Sequence, residues 1–332
     1  MVSWGILAPM LKDAIFSTLA YYDVLDMPLT AKEIQRYLIK QLDNDILTFS
    51  RMLECCQELA REQKISERDG RYYLFDREYL VPLKVEHERL ARKKWKRTYR
   101  IMRWLAAVPF IRIIFASGSL SMNNTDEQSD LDVIIVARHG RIWLTRLFTL
   151  AILAVLRARR RQSDTVAPNK ICPNHFITDA SLAIPFHSLY TAQLYANLTP
   201  MFVADLRLLD EFEKTNQWVM EFLGRWEIDR SGILKPRLSK AMRRMGEFLL
   251  SGMVGDRLES RAKELQCRRI TGRSLAIRPG GHLTYTDEAL AFHSGSSERE
   301  ILQRYNSLLL PLIDKRESNA PPLKVMGGRE EI

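Results

Sequence analysis

Gly118, Ser119, Asp130 and Asp132 have the residue types and spacing that chemistry on phosphates needs. Asp130 and Asp132 stand two apart at the head of an apolar run, LDVIIVA. In an extended strand, residues i and i+2 point to the same side, roughly 6.5–7 Å apart. Two carboxylates so placed can hold hard divalent cations such as Mg²⁺. Gly118-Ser119 closes an earlier apolar run, IRIIFAS, and ten residues separate it from Asp130. A glycine lets a backbone turn approach a phosphate closely. The Ser119 hydroxyl and neighbouring N–H groups can hold phosphate oxygens, helped by a short helix starting after the turn. A buried strand has no use for a carboxylate without a partner or a metal, so Asp132 beside VIIVA argues for function rather than for a solvated turn.

The elements that must position these residues are two strands over 111–117 and 131–137, the second buried on both faces. An apolar helix follows at 142–160. Its core, 142–156, holds about 15 residues with Arg146 inside, short of the roughly 20 a membrane span needs. A third strand is expected at 171–177. From about 186 onward helical periodicity dominates, over 187–197, 205–226, 236–265 and 297–313. The tail from 316 to 332 has little to bury and is expected to be mobile.

The stretch SGSLS…SDLDVIIV resembles the nucleotidyltransferase superfamily of the DNA polymerase β type, most closely its small stand-alone bacterial members. That family shows an apolar strand, Gly-Ser, about ten residues, then Asp-hydrophobic-Asp-hydrophobic. The resemblance rests directly on about 25 residues. It implies a small mixed sheet flanked by helices, a two-metal Mg²⁺ site on Asp130 and Asp132, and an NTP substrate held by Gly118 and Ser119. The family often carries a third carboxylate on a later strand as general base. Here that strand reads ICPNHFITD, with Asn174 and His175 at its middle. Asp179 is the nearest acid and serves only if the strand runs longer than its pattern; His175 is the other titratable candidate, since imidazole exchanges protons near neutral pH. Pro173 weakens the strand or places it at an edge.

The first 80 residues read as a separate unit. Leu11, Ile15, Leu19 and Tyr22 mark a helix that Pro28 stops. Thr30 and Glu33 form a capping box for a short second helix, and a third spans 46–63. A hairpin with Asp69-Gly70 at its turn follows. Three helices and a two-stranded wing make a winged helix. Its third helix has little net charge, which favours protein docking or intramolecular packing over DNA. A basic helix at 84–105 leads into the first strand; it is either a solvated face or a surface for weak, sequence-independent nucleic-acid binding. The arginines at 157 and 159–161 suit a helix C-terminus or a phosphate. Pro279-Gly280-Gly281 reads as a turn, and His293 is assigned no chemistry.

Net charge is +10, a balance that speaks of anionic partners. The four cysteines, Cys55, Cys56, Cys172 and Cys267, lack metal-ligand spacing, so a zinc site is not expected and reduced thiols are. With no signal peptide and no span of membrane length, a cytoplasmic protein is expected. The class is α+β: winged helix at 1–80, nucleotidyltransferase-like unit at 81–200, helical region at 201–315. The resemblance implies transfer of NMP from an NTP to the hydroxyl of an unknown acceptor, whether protein, RNA or small molecule. The alternative is a nucleotide-sensing regulator that binds DNA or protein through a catalytically weakened domain.

Overall fold

The computed structural model describes residues 4–39, 48–161, 164, 166–271, 282–293 and 297–319. It is a mixed α+β structure with a three-stranded and a six-stranded sheet. The chain opens with α1 (Trp4–Asp23) and continues, after β1 (Leu29–Thr30), into α2 (Ala31–Tyr37). Thr30 and Glu33 cap α2 reciprocally: the Thr30 hydroxyl accepts from Glu33 N at 3.3 Å, and the Glu33 carboxylate accepts from Thr30 N at 2.8 Å. α3 (Phe49–Arg61) starts after the Thr48 cap and buries Met52, Cys55, Cys56 and Leu59; its expected start at 46 lies outside the described residues. β2 (Ile65–Arg68) and β3 (Arg71–Leu74) form the hairpin. Asp69 and Gly70 both take the positive φ, 54° and 74°, that a two-residue turn between twisted strands demands. β1 pairs with β3, giving the order β1-β3-β2.

α4 (Leu80–Leu105) then leads to β4 (Ile111–Ala116), the four-residue α5 (Gly118–Ser121) and β5 (Leu131–Ala137). α6 (Ile142–Val155) crosses over to β6 (Ile171–Thr178), which pairs parallel with β5. α7 (Leu189–Ala196) precedes β7 (Thr199–Val203), and α8 (Leu206–Thr215) and α9 (Val219–Phe222) follow it. After α10 (Arg237–Leu249) and α11 (Gly252–Thr271), a second hairpin of β8 (His282–Tyr285) and β9 (Ala289–His293) completes the large sheet before α12 (Ser297–Asn319). The order is β7-β4-β5-β6-β9-β8, with every pair but β5·β6 antiparallel.

Three expectations about the C-terminal half need correcting. It is not purely helical: β7, β8 and β9 join the same sheet as the central strands, so that sheet runs across the 200 boundary. The helix expected over 236–265 is two helices, because Gly252 takes φ 66° at the break. The helix placed over 297–313 runs on to Asn319, so residues 316–319 belong to α12 and not to a tail. Residues 320–332 and the Pro279-Gly280-Gly281 turn lie outside the described residues.

β5 is buried on both faces, which is why its sequence is continuously apolar rather than alternating. Ile113, Phe115, Ile134 and Val136 face one core, shared with α1, α2, α3, α7 and α8; Ile114, Ala116, Val133 and Ile135 face the other, shared with α4, α6 and α11. The N-terminal helices are therefore packed into the body of the protein. Buried polar contacts fix that docking. Tyr22 donates its hydroxyl proton to Gln193 Oε1 at 2.8 Å and accepts from Asn197 Nδ2 at 3.1 Å, while Gln193 Nε2 donates to Tyr37 O at 3.1 Å.

Candidate phosphate and metal site

β4 and β5 run side by side, and their pairing brings the Gly118 turn onto Asp132. Ser117 N donates to Asp132 O at 3.0 Å, continuing the ladder into the turn. Gly118 then takes φ 67°, a left-handed conformation that a side chain disfavours. Space is a second constraint: a Cβ at this position would sit 2.9 Å from Asp132 Oδ2. The turn and the carboxylate thus approach too closely to leave room for a side chain at this position. Ser119 lies on the turn, its carbonyl accepting from Asn124 N at 2.9 Å.

Gly118→Ala is expected to destabilise the protein by about 1–2 kcal/mol through the left-handed backbone alone, with the displaced Asp132 carboxylate adding to the loss. Chemical denaturation measures the first effect and Mg²⁺-dependent triphosphate binding the second. Wild-type values for both would remove the close approach from the site.

Asp130 and Asp132 project together, and β6 supplies their neighbours. Cys172 pairs in register with Asp132, and its sulfur joins one oxygen from each aspartate within 4.8 Å of one another. Asn174 Nδ2 donates to Asp132 Oδ1 at 3.1 Å. Arg160, on the approach to β6, holds Asp130 in an ion pair. A cavity of about 240 Å³ opens beside Asp130 and Arg160, lined also by Asp126, Gln128, Ser129 and Val166. Burial, then the charge of Asp130, pushes the Asp132 carboxyl up to about 7 against the pull of Arg160, Cys172 and Asn174. Burial and then the same two aspartates raise the Cys172 thiol far above its ordinary value. Tyr190 on α7 is raised first by burial and then by the charge of Asp132, which sets α7 on the Asp132 side of the sheet.

The donor set fits a hard divalent cation. Two carboxylates side by side are the usual protein share of a Mg²⁺ site, with phosphate oxygens completing it. Cys172, held protonated, is a hydrogen-bond donor to those carboxylates rather than a soft ligand. Asp130 and Asp132 are the residues that could hold such an ion.

Two sequence expectations change here. Asp179 does not join the pair. It follows β6 at the opposite end of the sheet, where its N donates to Ala137 O at 2.8 Å and its Oδ1 accepts from His139 N at 2.7 Å. The residues between Cys172 and Asp179 at about 3.3 Å each put it roughly 20 Å from Asp132. His175 is half-buried opposite Ile134 and Ala291. By register it stands opposite Ile134, two residues beyond Asp132 on the same face of β5. Sequence reasoning gave Cys172 and Asn174 no part in the site and offered Arg160 only a helix C-terminus or a phosphate. The parallel pairing of β6 with β5 brings Cys172 and Asn174 to Asp132, and the approach to β6 brings Arg160 to Asp130.

The basic helix also differs from its reading as a wet face. Lys84 is fully buried and donates to Met122 O at 3.0 Å and Asn123 O at 3.1 Å. Lys94 donates to Ser129 O at 2.7 Å, and Trp95 Nε1 to Asn123 Oδ1 at 2.8 Å. α4 thereby clamps the loop between α5 and β5, while Arg92, Lys93, Lys96 and Arg97 remain exposed. Comparison with protein-family models, with curated proteins and with solved structures returned no match.

Proposed function

We propose that the chain is a divalent-metal-dependent nucleotidyltransferase that moves NMP from an NTP to an acceptor hydroxyl. The observation that carries this reading is the contact between the Gly118 turn and the Asp132 carboxylate, 2.9 Å from where a Cβ would be. It sets a backbone able to meet phosphate directly against the paired acids of β5. In the reaction, the acceptor oxygen attacks the α-phosphorus, the bond to the bridging oxygen breaks, and pyrophosphate leaves with the electron pair. The hydroxyl proton passes to solvent. Bound to Asp130 and Asp132, Mg²⁺ would offset the charge that develops on the phosphate oxygens. Gly118 and Ser119 hold the triphosphate against the turn. Arg160, already in the cleft, offers a guanidinium fork suited to phosphate oxygens. The clamp from Lys84 and Lys94 keeps the intervening loop in place.

A second reading is a nucleotide-sensing regulator. What favours it is that Cys172 and Asn174, and no acid, flank Asp132 on β6. In both readings residues 11–75 serve as a winged helix, with three helices and a hairpin in the expected order and β1 added between the first two helices. Its third helix pairs its own charges, Arg51 with Glu54, and Glu58 and Glu62 with Lys12. Among the described residues of that helix only Arg61 stands outside these pairs, too little of a cationic row for a phosphate backbone, so the unit docks protein rather than DNA.

Incubation with α-labelled NTPs and Mg²⁺, followed by pyrophosphate assay and chromatography of acceptors, separates the two. Transfer with pyrophosphate release supports the enzyme. Metal-dependent NTP binding without pyrophosphate release supports the regulator. No NTP binding with Mg²⁺ or Mn²⁺ sinks both.

A further inference from the structure

α10 is built with its polar side inward, and α11 adds polar anchors beside an inward edge of Ala262, Cys267 and Ile270. On α10, Ser239 is buried and donates to Arg103 O at 2.6 Å; Arg243, also buried, binds Glu247 at 3.0 Å; and Glu247 accepts from Phe110 N at 3.0 Å and pairs with Arg112. Gly246 lets the helix close on Pro109, 2.5 Å from where a Cβ would be. On α11, Glu259 accepts from Trp143 N at 2.8 Å and Leu144 N at 2.9 Å, and Gln266 is buried against Trp143 O at 2.8 Å. The outward face of α10 and the start of α11 carry the apolar residues instead. Met245, Phe248, Leu249 and Met253 are 61%, 76%, 63% and 76% exposed, and Met242 and Leu258 extend the stripe. This inverts what a surface helix of a globular protein does. A contiguous apolar face of this kind marks an interaction site.

The charges around it say what kind. On helical spacing, Lys240 and Arg244 flank the α10 stripe, and Arg257 and Arg261 run beside Val254, Leu258 and Leu265 on α11. The exposed acids of α11 are neutralised within the chain, Asp256 by Arg141 and Glu264 by Arg268. Beside the start of α10, Trp104 is 52% exposed, an indole at the level a water–lipid boundary favours. An apolar stripe of Met, Leu and Phe with Arg and Lys along its edges is the pattern of a helix lying in the plane of an anionic bilayer. A second copy fits less well, because an isologous contact sets the same cationic flanks against each other. We propose that α10, α11 and the end of α4 form a docking face for an anionic phospholipid surface, with the apolar stripe entering the headgroup boundary and the arginines on lipid phosphates. No helix among the described residues is long and apolar enough to cross a membrane, so this is docking in the plane of the surface.

The test is co-sedimentation of the full chain with vesicles of phosphatidylglycerol and phosphatidylcholine, against phosphatidylcholine alone. Binding to the anionic vesicles only is expected, falling as salt rises. Phe248→Ser with Met253→Ser is expected to weaken partitioning by about tenfold or more, from the apolar area no longer buried. Arg244→Gln with Arg257→Gln and Arg261→Gln is expected to weaken it by on the order of a hundredfold, the anionic-lipid part. Both sets change exposed side chains, and unaltered circular dichroism and melting confirm the fold. Absence of wild-type binding overturns the proposal, as does binding that neither variant reduces. A wild-type dimer in sedimentation velocity that Phe248→Ser with Met253→Ser dissolves, without vesicle binding, overturns it in favour of a second copy.

Discussion

Asp132→Asn is expected to abolish Mg²⁺-dependent NTP binding, by a hundredfold or more on the order-of-magnitude scale of a lost charged ligand, while leaving a protein at least as stable as the wild type. The two effects come from one cause. Burial and the neighbouring Asp130 push the Asp132 carboxyl up to about 7, well above its ordinary 3.8. Between those values the unfolded chain is ionised and the folded chain is not. Stability therefore falls as pH rises from about 4 to 7, and the cost stays in full above that. The amide removes this cost, about 4 kcal/mol at the upper limit. It keeps an oxygen to accept from Asn174 Nδ2, now at 3.1 Å. Isothermal calorimetry with a non-hydrolysable NTP measures the first effect, and urea denaturation at pH 5 and pH 8 in the absence of metal measures the second. A variant that loses binding and is less stable at pH 8 would mean that Asp132 holds the fold rather than a ligand. A variant that binds normally would take the acid pair out of the site. A gain in stability with a loss of binding is what a functional carboxylate held in an unfavourable place should give.

The parts of the site visible in the sequence are those whose geometry is local. Gly118, Asp130 and Asp132 lie in one stretch, and the i, i+2 spacing in a strand fixes which side the acids take. Thr30 with Glu33 and Asp69 with Gly70 are equally local, and the capping box and the hairpin both form where those residues stand. What the sequence hid depends on pairing between distant segments. Cys172 and Asn174 reach Asp132 because β6 runs parallel to β5, and nothing in ICPNHFIT states that register. Asp179 looked close because it follows the strand directly, yet a parallel pairing carries the end of β6 to the far edge of the sheet. β7, β8 and β9 were lost to the helical periodicity around them; each is short, and β9 is ordered chiefly by pairing with β6 and β8. α10 misled in another way. Its amphipathic pattern is strong, but its apolar side faces out, so periodicity marks the helix without telling which face the fold buries.

Lys84→Met is expected to flatten the alkaline rise in stability of the wild type and to weaken NTP binding, with a loss of stability of at most about 3 kcal/mol at neutral pH. Lys84 is fully buried, and its pKa is pushed down to about 8, first by burial and partly offset by the charges of Glu33 and Glu88, with Arg71 acting against them. The unfolded lysine titrates near 10.5. Between about 8 and 10.5 the unfolded chain binds the extra proton, so wild-type stability rises with pH across that window. The full rise from this group is about 3 kcal/mol. At neutral pH the ammonium carries that cost but also satisfies Met122 O and Asn123 O, at 3.0 and 3.1 Å. Charge-assisted bonds are each worth roughly 1.5–3 kcal/mol, so removing cost and bonds together leaves a net loss between about zero and about 3 kcal/mol. The difference in unfolding free energy between variant and wild type, followed from pH 7 to pH 10.5, cancels the other tyrosines, cysteines and lysines that titrate there. A constant difference would show that Lys84 is not held as a buried charge. The functional half follows from the clamp: the loop between α5 and β5 hangs on Lys84, Lys94 and Trp95, and it ends on Asp130. With the first anchor gone, Asn123 and the turn before it lose their fixed distance from β5, and NTP affinity is expected to drop by about tenfold, as a positional loss of that size would give. Arginine in place of Lys84 keeps the charge but not the compact ammonium, so Lys84→Arg should fail to restore affinity, whereas a purely electrostatic role would let it succeed.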